Sequence, residues 1–218
     1  NIDFISYMDQ AITLFFNGSH SLYLDAFAWN ATQLWVWLPF LLVIVYVLFR
    51  EHDFSHFLFI IFATAICVIV ADQIASAVFK PWIARWRPTH TPEIMHTVDV
   101  VRGYRGGFYG FFSSHAANTS AIAIFLSLII RHRNTSVALV LWVLLNCWTR
   151  LYLGAHYFGD LFVASCFGAS LGFTAYRCYR HYFSDAASFH YNNSLLRYIP
   201  LAFVITLCAL AIPWHLSY

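Results

Sequence analysis

Three short stretches of this sequence carry side chains that together can handle a phosphate ester. The first runs Lys80-Pro81-Trp82-Ile83-Ala84-Arg85-Trp86-Arg87-Pro88, and Lys80 is the only lysine in the chain. The second is Phe112-Ser113-Ser114-His115, and in the third Thr149-Arg150 is followed by His156 and Asp160. Lys80, Arg87 and Arg150 make a positive cluster, two of them with planar forks that suit phosphate oxygens. Ser113 and Ser114 precede an apolar run that reads as a helix, whose free N–H groups and dipole favour an anion. His156 and Asp160 stand four residues apart, so on a helical turn the carboxylate can hold the ring. A histidine oriented in this way can attack as a nucleophile, and His115 can protonate a departing alkoxide as general acid. Two histidines, three cations and one carboxylate make a phosphoryl-transfer site that needs no metal.

Each of these residues also has a plainer reading. An arginine at the end of an apolar run usually reaches for the membrane interface, and Arg85 is read that way. A lone histidine there is more often a polar cap than a catalyst. Against this, all three stretches fall at the ends of apolar runs on one side of the membrane. Asp72 lies inside an apolar run about two turns before Lys80, where a charge is costly and usually functional. A structural pairing with Lys80 or a neighbouring helix competes there with a catalytic duty. His90, Glu93 and His96 resemble metal ligands, but Pro92 disfavours a helical His-x-x-Glu arrangement, and no metal is assigned.

The elements that must position these groups follow from composition. Of 218 residues, 61% are apolar and 10% charged, against about 25% charged in ordinary soluble domains. Lipid must therefore solvate part of the surface. Apolar runs over Leu34–Phe49, Phe57–Phe79, Ala116–Ile130, Val137–Leu153 and Leu161–Tyr176 predict five spans, and Ile199–Trp214 a sixth. Only helices satisfy the backbone in hydrocarbon without a barrel pattern, so the fold class is an all-α membrane bundle. Ile5, Met8, Ile12, Phe15 and Phe16 recur at helical spacing against Asp3, Asp9 and Asn17. That pattern predicts an N-terminal helix lying in the interface, with a short span folded against the bundle as the alternative. No repeat or linker interrupts the chain, so residues 1–218 are read as a single domain.

The spans alternate, placing Arg50, Arg131, Arg133, Arg177, Arg180 and Arg197 on one side. Lys80, Arg85, Arg87, Arg102, Arg105 and Arg150 fall on the other, so the positive-inside comparison ties. The net charge of +2 and scattered basic residues exclude a nucleic-acid partner. Five cysteines without C-x-x-C spacing indicate neither a disulfide framework nor a zinc site. The N-terminus shows no basic region followed by a compact apolar core, so no cleavable signal peptide is expected.

The three stretches resemble the signature of the type 2 phosphatidic acid phosphatase family, K-x6-RP, PSGH and SR-x5-H-x3-D. Lys80, Arg87 and Pro88 match the first part. Ser113 and His115 match the second, with Phe112 for Pro and Ser114 for Gly, and Arg150, His156 and Asp160 match the third, with Thr149 for Ser. The resemblance implies that His156 becomes transiently phosphorylated, that Asp160 supports it and that His115 protonates the leaving group. Lys80, Arg87, Ser113, Ser114 and Arg150 would hold the phosphate, with no cofactor or metal. Ser114 has a side chain where glycine lets the backbone approach freely.

The spans point to the membrane lipid phosphatase branch of that family. The expected substrate is a lipid A phosphate or undecaprenyl diphosphate, with phosphatidylglycerolphosphate or phosphatidate as alternatives, and the sequence does not speak to protein partners. By resemblance the protein belongs in a bacterial inner membrane with its site toward the periplasm. Arg102 and Arg105 are read either as contacts to a second phosphate or sugar or as solvated loop charges. The rival from another class is a lipid transporter that binds without cleaving, which the division of labour between His115 and the His156–Asp160 pair disfavours.

Overall fold

The computed structural model describes residues 2–183 and 191–212. The helices are α1 (Ile2–Phe16), α2 (Leu22–Ala31), α3 (Leu34–Glu51), α4 (Phe54–Gln73), α5 (Lys80–Ile83), α6 (Ser114–Ile130), α7 (Arg133–Tyr152), α8 (Phe158–Tyr182), α9 (Asn193–Leu196) and α10 (Tyr198–Ala211). A π-helical segment, Ile74–Phe79, joins α4 to α5 without a break. Among the described residues no strand forms, and the only β-type pairing is an isolated bridge from Trp86 to Tyr109.

Five segments are long and apolar enough to cross a membrane: Leu34–Glu51, Phe54–Ile83, Arg133–Tyr152, Phe158–Tyr182 and Asn193–Ala211. The expected helical membrane bundle is therefore what the chain forms, with most spans extended by a turn or more of flanking residues at one or both ends. The end of the predicted sixth span, 213–214, lies outside the described residues. Helix α6 has only 17 residues. It runs through the middle of the bundle against α4, α7 and α8, so its ends meet protein on several sides. Its closest neighbour is α8, where a Cβ on Gly168 would come within 2.1 Å of the Ala117 carbonyl oxygen. Only a residue without a side chain lets the two backbones approach so closely.

The helices alternate in direction, so one end of the bundle gathers the starts of α3, α6 and α8 and the ends of α5, α7 and α10. Helices α1 and α2 and the connection 84–113 cover that end. Tyr23 of α2 donates to the Ala211 carbonyl at 2.9 Å. Trp37 and Phe40 of α3, Trp142 of α7 and Phe203 of α10 bury their rings together, with centroids 5.5 to 6.4 Å apart. This knot holds α3 against the bundle.

The N-terminal segment departs from expectation in one respect. Its polar stripe does not face water. Asp9, Thr13 and Asn17, spaced four apart, turn inward and hydrogen-bond to the rest of the protein. Phe4, Tyr7, Met8, Phe15 and Phe16 are exposed. The physical reason is the set of unpaired N–H groups at the start of α8, which α1 satisfies, while its aromatic side suits the headgroup region.

Candidate active site

A cavity of about 620 Å³ opens at the covered end and runs into the bundle. Lys80, Arg87, Ser114, His115, Arg150 and His156 line its mouth. The three sequence stretches, far apart in the chain, therefore meet in one place.

Each group has a local cause for its position. Lys80 follows the π-helical segment and donates to Ser76 Oγ at 3.1 Å and Ser114 Oγ at 3.3 Å. The two hydroxyls are 3.2 Å apart. Ser114, standing where the family motif has glycine, thus uses its side chain to hold the ammonium. Ser113 is the N-cap of α6 and accepts from the Ala116 N–H at 3.4 Å. It is fully buried and its hydroxyl serves the helix rather than the cavity. His115, in the first turn of α6, is exposed to the cavity. Arg150 ends α7, buried, with its Nε and Nη2 lacking a protein partner. Arg87 is anchored through its Nε to the Tyr109 carbonyl at 3.2 Å. Thr149 donates to the Asn146 carbonyl and is part of the α7 framework.

His156 lies in the tight turn between α7 and α8, one residue before the Tyr157 N-cap. It is 3% exposed. Its Nδ1 is 3.7 Å from Asp160 Oδ2, within ion-pair range and longer than a hydrogen bond. Asp160 is fully buried behind the ring and is the third residue of α8, where it accepts from the Tyr157 N–H at 3.0 Å. Its other oxygen receives Arg85 Nη1 at 2.7 Å, and Arg85 Nη2 reaches Asp9 at 2.6 Å. Asp9 in turn accepts from the Gly159 N–H at 2.7 Å, and Thr13 from the Phe158 N–H at 3.1 Å. The Arg85 guanidinium also lies over the Tyr157 ring, 4.1 Å from its centre. Gly110 closes this corner: a Cβ there would be 3.2 Å from Asp160 Oδ2.

The electrostatics follow from this burial. Loss of water pushes the His156 pKa down to about 4, Arg87 and Arg150 push it the same way, and Asp160 opposes them. The ring is therefore neutral at pH 7 and carries a free lone pair. Burial works against the charge of Arg85, but Asp160 and Asp9 more than offset it, raising its pKa above the ordinary guanidinium value.

The reading of Arg85 changes here, and the residues left open by the sequence find their places. Arg85 is not a free span-end charge: it bridges two carboxylates, Asp9 and Asp160, that lie far apart in the chain. Asp72 lines the cavity but makes no ion pair within 4 Å among the described residues. Arg105 donates to the Thr89 carbonyl at 2.9 Å and Arg102 lies over the Trp29 ring, so neither lines the mouth of the cavity. His90 packs on Phe108, and among the described residues no three His, Cys, Asp or Glu side chains converge as a metal site would require. Asp9, Thr13, Gly110 and Tyr104 belong to the site or its support without having been singled out. The four-residue spacing of Asp9, Thr13 and Asn17 was the one signal available for the first two.

The arrangement can bind a phosphate through three cations, hold a neutral imidazole beside it, and place a second imidazole nearby. Comparison with known proteins agrees. The PAP2 superfamily profile matches residues 56–184. A lipid A 4'-phosphatase of Bacteroides thetaiotaomicron is 40% identical over 177 residues, covering 80% of this chain and 78% of the relative. A lipid A 4'-phosphatase of Porphyromonas gingivalis is 32% identical over 178 residues, covering 82% and 75%. No solved structure matches the chain. With that coverage and this multi-pass bundle, the chain belongs to the PAP2 superfamily as a membrane-embedded phosphoric monoester hydrolase.

Proposed function

We propose that the protein is a lipid phosphatase that removes the 4'-phosphate of lipid A, through a phosphohistidine on His156. The observation that carries this reading is one cavity shared by Lys80, Arg87, Arg150, His115 and His156, in a chain 40% and 32% identical to two lipid A 4'-phosphatases.

In this reading Lys80, Arg87 and Arg150 hold the phosphate oxygens, with the Ser114 hydroxyl and the N–H groups at the start of α6. Ser113 contributes through its backbone, since its hydroxyl caps the helix. Asp160 faces Nδ1 of His156, which leaves Nε2 for phosphorus. Nε2 attacks, the bond from phosphorus to the sugar oxygen breaks, and His115 delivers a proton to that oxygen. Water then attacks the phosphohistidine, His115 takes the water's proton, and inorganic phosphate leaves with His156 restored. Asp160 stabilises the ring as it gains positive character, and the three cations stabilise charge on the equatorial oxygens. Asp160 touches no substrate atom and acts as a positioning residue.

The helices outside the profile match belong to the same single unit, because α1 supplies Asp9 and α3 lines the cavity. The site faces the periplasm of a bacterial inner membrane. Lys80, Arg85, Arg87 and Arg150 are engaged around the cavity, so they drop out of the charge comparison, and the arginines at the opposite end mark the cytoplasmic side. Incubating the purified protein with lipid A bisphosphate, undecaprenyl diphosphate and phosphatidate, and measuring released phosphate, tests this. Release from lipid A at the 4' position, absent in His156→Ala, is expected. Release from the other two lipids alone would refute the substrate.

A further inference from the structure

Below the phosphate-binding mouth, the cavity is built in layers. On α6 the lining residues His115, Asn118, Thr119 and Ile122 form one stripe; on α7 Arg150, Asn146 and Trp142 form a second; before Lys80, Ser76, Asp72 and Val68 form a third. Each stripe begins with a charged or imidazole group, passes through amides, hydroxyls or a carboxylate, and ends in an apolar residue. At 1.5 Å per residue, Asn118 lies about 4–5 Å and Asn146 about 6 Å below the top of its helix stripe. Ile122 and Trp142 lie about 10–12 Å below. Leu41 and Trp37 of α3 complete the apolar floor.

Polar atoms along this depth lack partners. Asn118 Oδ1 in the middle layer and Trp142 Nε1 in the floor are buried without a hydrogen bond, and so are Nε and Nη2 of Arg150 above them. By contrast, Trp37 in the same floor has its indole N–H paired to the Ala31 carbonyl at 2.8 Å. Asn146 ties its Nδ2 to the Trp142 carbonyl, which fixes the amide in place within the wall. Buried amides and an intramembrane carboxylate are costly in an apolar bundle unless something pairs with them.

We infer that Asn118, Asn146 and Asp72 form a polar collar that reads hydrogen-bonding groups between the phosphate and the acyl chain, and so selects a phosphorylated acyl sugar over a prenyl phosphate. An acylated aminosugar carries hydroxyls and an amide next to its phosphate, with an acyl chain beyond, in the same order as the layers. A prenyl chain is apolar from the phosphate ester oxygen onward and would leave the collar unpaired, which is how a hydrogen-bonding site rejects an analogue. This deepens the proposed function, since it rests on the cavity mouth being the phosphatase site.

The test compares kcat/KM for lipid A bisphosphate and for undecaprenyl phosphate in the wild type, Asn118→Leu and Asn146→Leu, with Asn146→Gln as the conservative variant. The wild type should favour the glycolipid. Each leucine variant should lose about 10- to 100-fold on the glycolipid and about threefold or less on the prenyl phosphate, so that the preference collapses. Asn146→Gln should recover part of it. Should Asn146→Leu fail to fold, Asn118→Leu decides alone, because Asn118 is only partly buried. Equal losses on both substrates, or an unchanged preference, would overturn the collar while leaving the phosphatase reading intact. A wild type that cleaves neither lipid, or only the prenyl phosphate, would overturn the proposed function itself.

Discussion

At the scale of residues, the proposed reaction depends on one buried imidazole and what stands behind it. Asp160 is held by Arg85 and by the Tyr157 N–H, so its carboxylate has no freedom to leave His156. Asp160→Asn keeps the shape but removes the charge that supports the imidazolium. A fall in kcat of roughly 100- to 10,000-fold is expected, by analogy with triad aspartates, with KM much less affected; steady-state kinetics checks this. Burial of His156 also links it to stability. Its pKa is about 4 in the folded protein against about 6.5 in an unfolded chain. The unfolded state therefore binds the extra proton between those values, and stability is lost as pH falls from about 6.5 towards 4. Thermal unfolding in detergent should show wild type losing up to about 3 kcal/mol more than His156→Asn across that window. Parallel curves would count against a neutral buried ring.

At the scale of elements, α1 is part of the active-site support. Asp9 joins Arg85 to the start of α8, so one helix steadies both the carboxylate and the turn that carries His156. Asp9→Ala should cost about 1–3 kcal/mol, less than a fully buried pair because Arg85 is 29% exposed. It should also lower kcat about tenfold or more while leaving KM for the lipid nearly unchanged, since Asp9 does not line the cavity. Unfolding midpoints and steady-state rates in the same preparation check both. This element also marks where sequence reading ran out. The spans were legible because hydrocarbon admits few alternatives to an apolar helix, and the spacing of Lys80, Arg87, His115, Arg150, His156 and Asp160 was legible because each lies at a span end. The partner of Arg85 was not, because Asp9 is 76 residues away in sequence and its polar stripe looks the same whether it faces water or protein. The same holds for the Ser113 hydroxyl, whose capping of α6 does not follow from its place before an apolar run. A cap and an anion ligand use the same residue type at the same position, and only coordinates separate them.

At the scale of the whole molecule, the bundle makes a polar mouth at one end and an apolar floor within. The alternating directions of the helices bring every charged group of the mouth to the same end, and the aromatic knot of Trp37, Phe40, Trp142 and Phe203 holds α3 so that the cavity stays walled. In the proposed function, such a shape would hold the phosphate at the interface while the chain of the lipid remains in hydrocarbon. The lining residues of the cavity run from the covered end to the level of Leu41, Val68 and Trp142. In the proposed mechanism, what separates cleavage from mere binding is covalent chemistry at His156. Rapid quenching of the purified protein with phosphate-labelled lipid A should trap labelled protein that loses its phosphate in acid and keeps it in alkali, as a phosphohistidine does. His156→Ala should give none, and a variant without that ring that still forms the phosphoprotein, or still turns over, would contradict the account.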